Sequence, residues 1–389
     1  MDMYDAIVVG AGLHGCSAAL HLALRGKNVL VIEKNAAGRH ASGVNAGGVR
    51  RLGRHPAEIP LSVASLEIWH RIESLVDDHC GFQASGQVKI AENDADMKSL
   101  EERAAMVRGL GFDHEEVIDR TELRRLCPAA SDHCVGGLVS WRDGFANPYR
   151  TTWSFRQKAA AIGVTFREGV RVTGVDRIGD AWEVGTSAGR FQGEVLVNCG
   201  GAWGDQMAAM LGDTVPLSPE APMMMVTAPM PQFLDPVVGL AGRPLSFKQG
   251  TNGTVVIGGG HRGVADRNAE TTKLNFAGLK LSARTVVEVF PIMRDVPVVR
   301  CWSGIEGVMP DHIPVIGPSR NAPAAYHAFG FSAHGFQLGP VVGRTLSELI
   351  VDGETPMPID PFRVDRFNIV DGVAEAVGSD GTSLELDEG

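Results

Sequence analysis

An apolar run from Asp5 to Gly10 leads into Gly10-Ala11-Gly12-Leu13-His14-Gly15, then an Ala- and Leu-rich stretch, then a second apolar run from Asn28 to Glu33. This order constrains the fold more than any other part of the chain. Glycine at 10 permits a tight turn, glycine at 12 lets backbone approach a pyrophosphate, and glycine at 15 lets the following helix pack close to the strand. The helix N-terminus then offers free N–H groups and a partial positive charge to an anion. Glu33 stands where a carboxylate accepts hydrogen bonds from ribose hydroxyls. The stretch reads as the adenosine half of a dinucleotide site on a Rossmann-like α/β domain, and by itself would suit NAD as well as a longer cofactor. A plain glycine turn is the bland alternative; strand before, helix after and acid at the right distance argue against it.

Length and charge limit the rest. With 389 residues, 44% hydrophobic and 21% charged, the chain can bury two or three cores. A net charge of -10 and a pI near 5.7, with no basic stripe, argue against nucleic acid as a partner. The six cysteines, at 16, 80, 127, 134, 199 and 301, form no CxxC pair and no zinc spacing, so no metal is expected and buried, reduced thiols are. No run approaches the roughly 20 apolar residues of a membrane span, and the first strand leaves no room for a cleaved leader. The expectation is a soluble cytoplasmic protein.

Hydrophobic periodicity places helices at about 13 to 26, from Pro60 to His79, from Pro148 to about Ile162, from about Glu270 to Phe290 and from about Leu338 to Val351. Between the first two lies an irregular, glycine- and arginine-rich stretch from Asn35 to His55, long enough to be functional. Short strands separated by glycine turns follow Ile162, and Asn198-Cys199-Gly200-Gly201-Ala202-Trp203 repeats the strand-to-glycine-to-helix junction late in the chain. The pattern predicts a discontinuous nucleotide domain from 1–85, 145–213 and 298–369. An inserted β-rich (α+β) substrate domain takes 86–144 and 214–297. Residues 370–389 are acidic, lack Lys and Arg, and read as a flexible tail.

Five motifs carry a family resemblance in the right order along nearly the whole chain. They are the opening fingerprint, the loop Arg39 to Arg50, Cys199 to Trp203, Pro310-Asp311-His312-Ile313-Pro314-Val315-Ile316-Gly317, and Gly330-Phe331-Ser332-Ala333-His334-Gly335-Phe336. Together they resemble the D-amino-acid oxidase superfamily, in the region of glycine oxidase, sarcosine oxidase and the opine and hydroxyproline dehydrogenase subunits. The resemblance implies FAD and oxidation of an amino-acid C–N bond by hydride transfer to flavin N5. The implied cofactor contacts begin with Gly10, Gly12, Leu13, His14, Gly15, Glu33, Lys34 and Arg39. They continue through Ser42, Gly43, Asn45, Ala46, Gly47, Gly48, Val172, Gly200, Trp203 and Gly304, and end with Gly330, Phe331, Ala333, His334, Gly335, Phe336 and Gln337. Bottom-up, glycines at 43 to 48 let backbone lie against pyrophosphate and ring without side-chain clash. The 330–336 loop can aim N–H groups at the pyrimidine side of a flavin, where charge accumulates on reduction.

Departures from the family bear on chemistry. Gly304 stands where monomeric sarcosine oxidase carries its flavin-linking cysteine, with Cys301 off register, so the FAD is expected to be non-covalent. Glu306 stands in the region of glycine oxidase's carboxylate-binding arginine; it can pair with a substrate ammonium or guanidinium, or with a basic group such as Arg300. Arg50 and Arg51 resemble the position of a substrate-carboxylate arginine and suit a bidentate pair. His261 and Arg262 fall near the place of an oxygen-activating lysine, and His261 or His334 could deprotonate an ammonium substrate. Trp302 and Gln337 are further candidates for the pocket wall. The candidate catalytic set is therefore Arg50, His261, Arg262, Glu306 and His334. The expected partners are a small N-substituted or D-amino acid, opine-like substrates included, and O2, a quinone or a partner subunit as electron acceptor. A 2-hydroxy-acid dehydrogenase and an electron-relaying subunit of a heteromeric complex are the competing readings, with homo- or hetero-oligomers both open.

Overall fold

In the computed structural model, residues 3–370 and 373–376 are described. The first strand, Met3–Val9, is central in a sheet ordered Val315–Pro318, Ala325–Phe329, Gly189–Asn198, Met3–Val9, Val29–Glu33, Thr165–Glu168. It runs parallel to both neighbours, Ala6 opposite Val29 and Val9 opposite Asn198. Both faces are covered, so the strands are almost wholly apolar. Ala6, Val8, Val29 and Val31 face a core shared with the helices Leu13–Leu24, Ile59–Trp69, Pro148–Ala161 and Gly335–Val351. The alternate positions Ile7, Leu30 and Ile32 face a second core with Trp182, Val184 and Leu196. Because Gly189–Asn198 and Ala325–Phe329 are also parallel, the loops after Val9, Asn198 and Phe329 leave the sheet at one edge.

The second sheet has 11 strands. Gln87–Ala91, Glu116–Asp119 and Gly136–Ser140 come from the first expected insertion, and six strands between Ser218 and Lys273 come from the second. Its core stacks Phe247 on Phe290, ring centroids 4.6 Å apart. Val298–Ser303 and Glu306–Val308, assigned by sequence to the nucleotide domain, pair instead with Ser218–Thr227 of this sheet. That strand is ten residues long, enough to pair with several short strands along its length.

Two expected helices are divided. The segment from Pro60 to His79 forms helices Ile59–Trp69 and Ile72–Val76, broken at Arg71, and Asp77 ends the second in the left-handed region at φ 57°. The segment from Glu270 begins with strand Thr271–Lys273, and the helix runs only Phe276–Val289, capped by Asn275. Of the expected acidic tail, 370 and 373–376 lie in the hairpin Phe367–Val370 and Val373–Ala376. The remainder, 371–372 and 377–389, lies outside the described residues. Among the described residues no helix is long and apolar enough to cross a membrane.

His21 lies where helix Leu13–Leu24 meets Gly335–Val351, against Pro340 and Arg344, its Nε2 buried without a partner. Burial, with help from Arg344, holds its pKa down to about 4. The unfolded chain takes up that proton first, at about 6.5. Stability is therefore intact above pH 6.5 and lost as pH falls toward 4. The expected result is a thermal midpoint that drops across this window, with H21L removing on the order of 2 kcal/mol of that pH dependence. An H21L protein with the wild-type slope would show that this histidine does not contribute.

Candidate active site

The three loops that leave the first sheet together build the site. At the first, Gly10 has φ 104°, and a Cβ added to Gly15 would lie 1.9 Å from the Gly10 carbonyl oxygen. The helix therefore starts closer to the strand end than any side chain permits. Glu33, at the end of the neighbouring strand, accepts the N–H groups of Ala11 and Asn35, both at 2.8 Å. Burial pushes its pKa up, against those two hydrogen bonds. Around it lies a cavity of about 190 Å³ lined by Gly10, Gly12, His14, Glu33, Lys34, Arg39, Ser42, Val172, Gly200, Trp203 and Phe331. The Lys34 ammonium sits 3.0 Å from the Trp203 ring centroid. Glu270, from the second sheet, reaches back to Lys34, Asn35 and Arg171. Burial would raise its pKa, but those three partners hold it down at about 2.

A larger cavity of about 550 Å³ opens between the two sheets and shares His14, Ser42, Ala202 and Phe331 with the first, so one elongated molecule can lie through both. Its wall includes Leu13, Asn45, Ala46, Gly47, Gly48, Arg50, Gly304, Glu306, Gly330, Ala333, His334, Gly335 and Phe336. Gly48 and Gly201 have nothing within 4 Å of an added Cβ, so each leaves room that a side chain would fill. Trp302 Nε1 donates to the Val44 carbonyl at 2.8 Å and holds the 41–48 loop. Helix Gly335–Val351 begins at the cavity with no side-chain cap on its first N–H groups. A glycine cradle at one end, a buried ribose-level carboxylate and an uncapped helix start at the other fit a flavin dinucleotide.

Seven sequence candidates lie outside both walls, Arg51 and Trp302 among them. Gly15 and Gly43 pack on backbone, the latter against Gly38. Gln337 is fully buried between helices, donating to the Ser62 carbonyl and accepting from Arg54. His261 packs against Gly278, and Arg262 is exposed and paired with Glu220 at 2.5 Å. Neither His261 nor Arg262 lines the cavity, although the Arg262 charge still acts on Glu306: burial raises that carboxyl's pKa and Arg262 holds it down.

The cavity's charges follow from which buried acids are already engaged. Asp143 accepts from the Arg51 side chain at 3.2 Å and from the Arg51 and Leu52 N–H groups. Glu115 accepts twice from Arg103 and once from Gly53 N–H. Glu58 accepts from His334 Nδ1 at 2.8 Å, with Arg54 at 3.9 Å. Arg54 spends its other donors on the Arg50 and His334 carbonyls and on Gln337. Arg50 donates only to the Leu52 carbonyl, at 2.6 Å, and has no carboxylate partner among the described residues.

Two titratable groups on this wall are displaced toward neutrality. Burial holds His334 down at about 4, so its ring is neutral at physiological pH, Nδ1–H toward Glu58. Burial raises Glu306 to about 7, opposed by the Ala333 N–H that its Oε1 accepts at 2.7 Å. Among the described residues no donor reaches its Oε2. Sequence reading missed Gln87 and Lys89, which also line the cavity, and Lys248, pressed against Gly47 with its ammonium 4.4 Å from the Phe145 ring. Burial pushes Lys248 down to about 7. For Gln87 and Lys89 the signal was the polar alternation of Gln87-Val88-Lys89-Ile90, which marks a polar strand face without saying whether it meets water or a ligand.

Comparison with known proteins extends the likeness over the whole site. The chain is 27% identical to sarcosine oxidase subunit beta of Rhizobium meliloti over 374 residues, covering 94% of this chain and 88% of that protein. It is 25% identical to hydrogen cyanide synthase subunit HcnC of Pseudomonas aeruginosa, covering 94% and 96%. The fold superimposes on L-proline dehydrogenase from P. horikoshii with a TM-score of 0.88 at 24% identity, covering 94% of this chain and 98% of that one. The family described as FAD dependent oxidoreductase (DAO) matches residues 5–349, and the chain belongs to that family, with FAD as its cofactor.

Proposed function

We propose that this protein oxidises the C–N bond of a small amino acid, N-substituted or D-configured, with Arg50 holding the carboxylate and Glu306 receiving the amine proton. The observation that carries the reading is a cavity wall bearing both an arginine without a carboxylate partner and a carboxyl group that titrates near neutrality. An arginine fork pairs with a carboxylate through two parallel hydrogen bonds, and a dry wall strengthens them. An ammonium group must lose its proton before its carbon can be oxidised. Glu306, anchored through one oxygen and free at the other, is placed to take it. His334 is held neutral and too weakly basic to compete, and His261 lies outside the wall. Bound FAD supplies the two-electron acceptor as the C–N single bond becomes C=N. Relatives named sarcosine oxidase and glycine oxidase support an amino-acid substrate. Similarity to proteins named as subunits supports a partner subunit, beside O2, as electron outlet.

Anaerobic addition of sarcosine, glycine, D-amino acids, proline or opines to the purified flavoprotein should bleach the flavin for at least one of them. Bleaching by 2-hydroxy acids alone would overturn the C–N assignment. R50M should raise the substrate concentration for half-maximal bleaching by about 100-fold, the worth of a buried charged pair; an unchanged value would remove Arg50 from carboxylate binding.

The rate of flavin reduction should fall as pH drops below about 7, where Glu306 gains its proton, and E306Q should abolish that inflection. Persistence of the inflection in E306Q would assign it elsewhere. With Gly304 offering no nucleophile and Cys301 packed on the second core, acid precipitation should release all the flavin into solution. Colour retained in the pellet would show a covalent link.

A further inference from the structure

Once Arg50 is assigned a substrate carboxylate, one cation on the cavity wall is left over. Lys89 lies on strand Gln87–Ala91, with 87 and 89 facing the cavity and Val88 and Ile90 fully buried behind them. A Cβ added at Gly53 would lie 3.6 Å from Lys89 Nζ and 3.8 Å from Arg50 Nη1, so the two cations flank a single glycine. The acids nearby already face other cations or donors: Glu115 faces Arg103, Asp143 faces Arg51, and Glu58 meets His334 and Arg54 through Oε2, its Oε1 buried without a donor. Among the described residues neither Arg50 nor Lys89 has a carboxylate within ion-pair distance. Gln87, nine-tenths buried on the same strand face, leaves its Oε1 without a donor. Burial, with Arg50 and Arg103 adding repulsion and Glu115 opposing it, holds the Lys89 pKa below its usual range.

Two like charges side by side on a partly dry wall repel each other and lose hydration, and a single carboxylate neutralises only one of them. We infer that the substrate carries a second carboxylate, held by Lys89 beside the one on Arg50, so that it is an acidic or N-carboxyalkyl amino acid. The inference rests on the reading that Arg50 binds the first carboxylate in an amine-oxidising site. Lys89 would act as a specificity residue: a monocarboxylic amine leaves its ammonium unpaired, whereas a dicarboxylate pairs both cations. Spacing along the wall, rather than overall charge, then selects the substrate, since the protein as a whole is acidic.

Diglycolate and methoxyacetate test this without turnover, because they have an ether oxygen in place of nitrogen and differ by one carboxylate. Each is titrated into the holoenzyme, with binding read from the flavin absorbance and by calorimetry. Diglycolate should bind at least about tenfold tighter than methoxyacetate. K89M should erase that preference by weakening diglycolate alone, and K89R should restore most of it, with flavin content checking that both variants fold. Equal binding of the two ligands to wild type, or K89M weakening both alike, would overturn the second carboxylate site. If no amine bleaches the flavin while the Lys89-dependent preference persists, the amine-oxidation reading fails and the anion site stands. If monocarboxylic amines bleach the flavin and diglycolate shows no preference, amine oxidation stands and the second carboxylate site fails.

Discussion

The contact between Gly15 and the carbonyl of Gly10 is the constraint on which the rest of the site depends. A methyl group at Gly15 would overlap that oxygen, so the first helix can start where it does only with glycine there. The start of this helix fixes its packing against Gly335–Val351, and with it the position of the 330–336 loop at the end of the Ala325–Phe329 strand. His14 carries the coupling across: its ring stacks on Phe331 at 3.6 Å and 6°, and burial holds it down at about 3, so it stays an uncharged spacer. Parallel pairing places the third loop, after Asn198, in the same row. One close backbone approach thereby sets three cofactor-facing loops.

The second constraint is electrostatic. Breaking a buried ion pair typically costs about 3–5 kcal/mol, so buried cations ordinarily have partners. Around the larger cavity that rule accounts for Arg51, Arg54 and Arg103, each facing a fully buried acid. It leaves out Arg50, Lys89 and Lys248, the last pushed down to about 7 by burial. Arg262, itself exposed, is already paired with the half-buried Glu220 and so has less reason to await a ligand. The same low polarity that makes the cations costly raises Glu306 and lowers His334, dividing proton acceptor from neutral scaffold.

Local features were legible in the sequence. The fingerprint, Glu33 and the 41–48 loop declare themselves because their geometry depends on glycines and on neighbours within a few residues. Features that depend on distant pairing were not. Nothing in Val298 to Val308 says which sheet it joins, since a short apolar strand suits either, and its partner Ser218–Thr227 lies some 80 residues away. The polar face at Gln87 and Lys89 looks in sequence like a solvent face, and Gln337 looks like part of the loop before it although its side chain is a knot between helices. His261 and Arg262 follow a glycine run that resembles a site loop, yet only the glycines Gly258 to Gly260 line the cavity. The helix break at Arg71 had no Pro or Gly to mark it.

The central claim is that ligand recognition lies on the wall shared by Arg50 and Glu306, not on the rim near Arg262. A crystal structure of the FAD-bound protein with methoxyacetate, an unreactive counterpart of sarcosine, measures this directly. The account predicts the carboxylate in a two-bond pair with the Arg50 guanidinium and the ether oxygen on the Glu306 side of the cavity. A carboxylate found on Arg262, or on Arg54 with Arg50 left free, would contradict it.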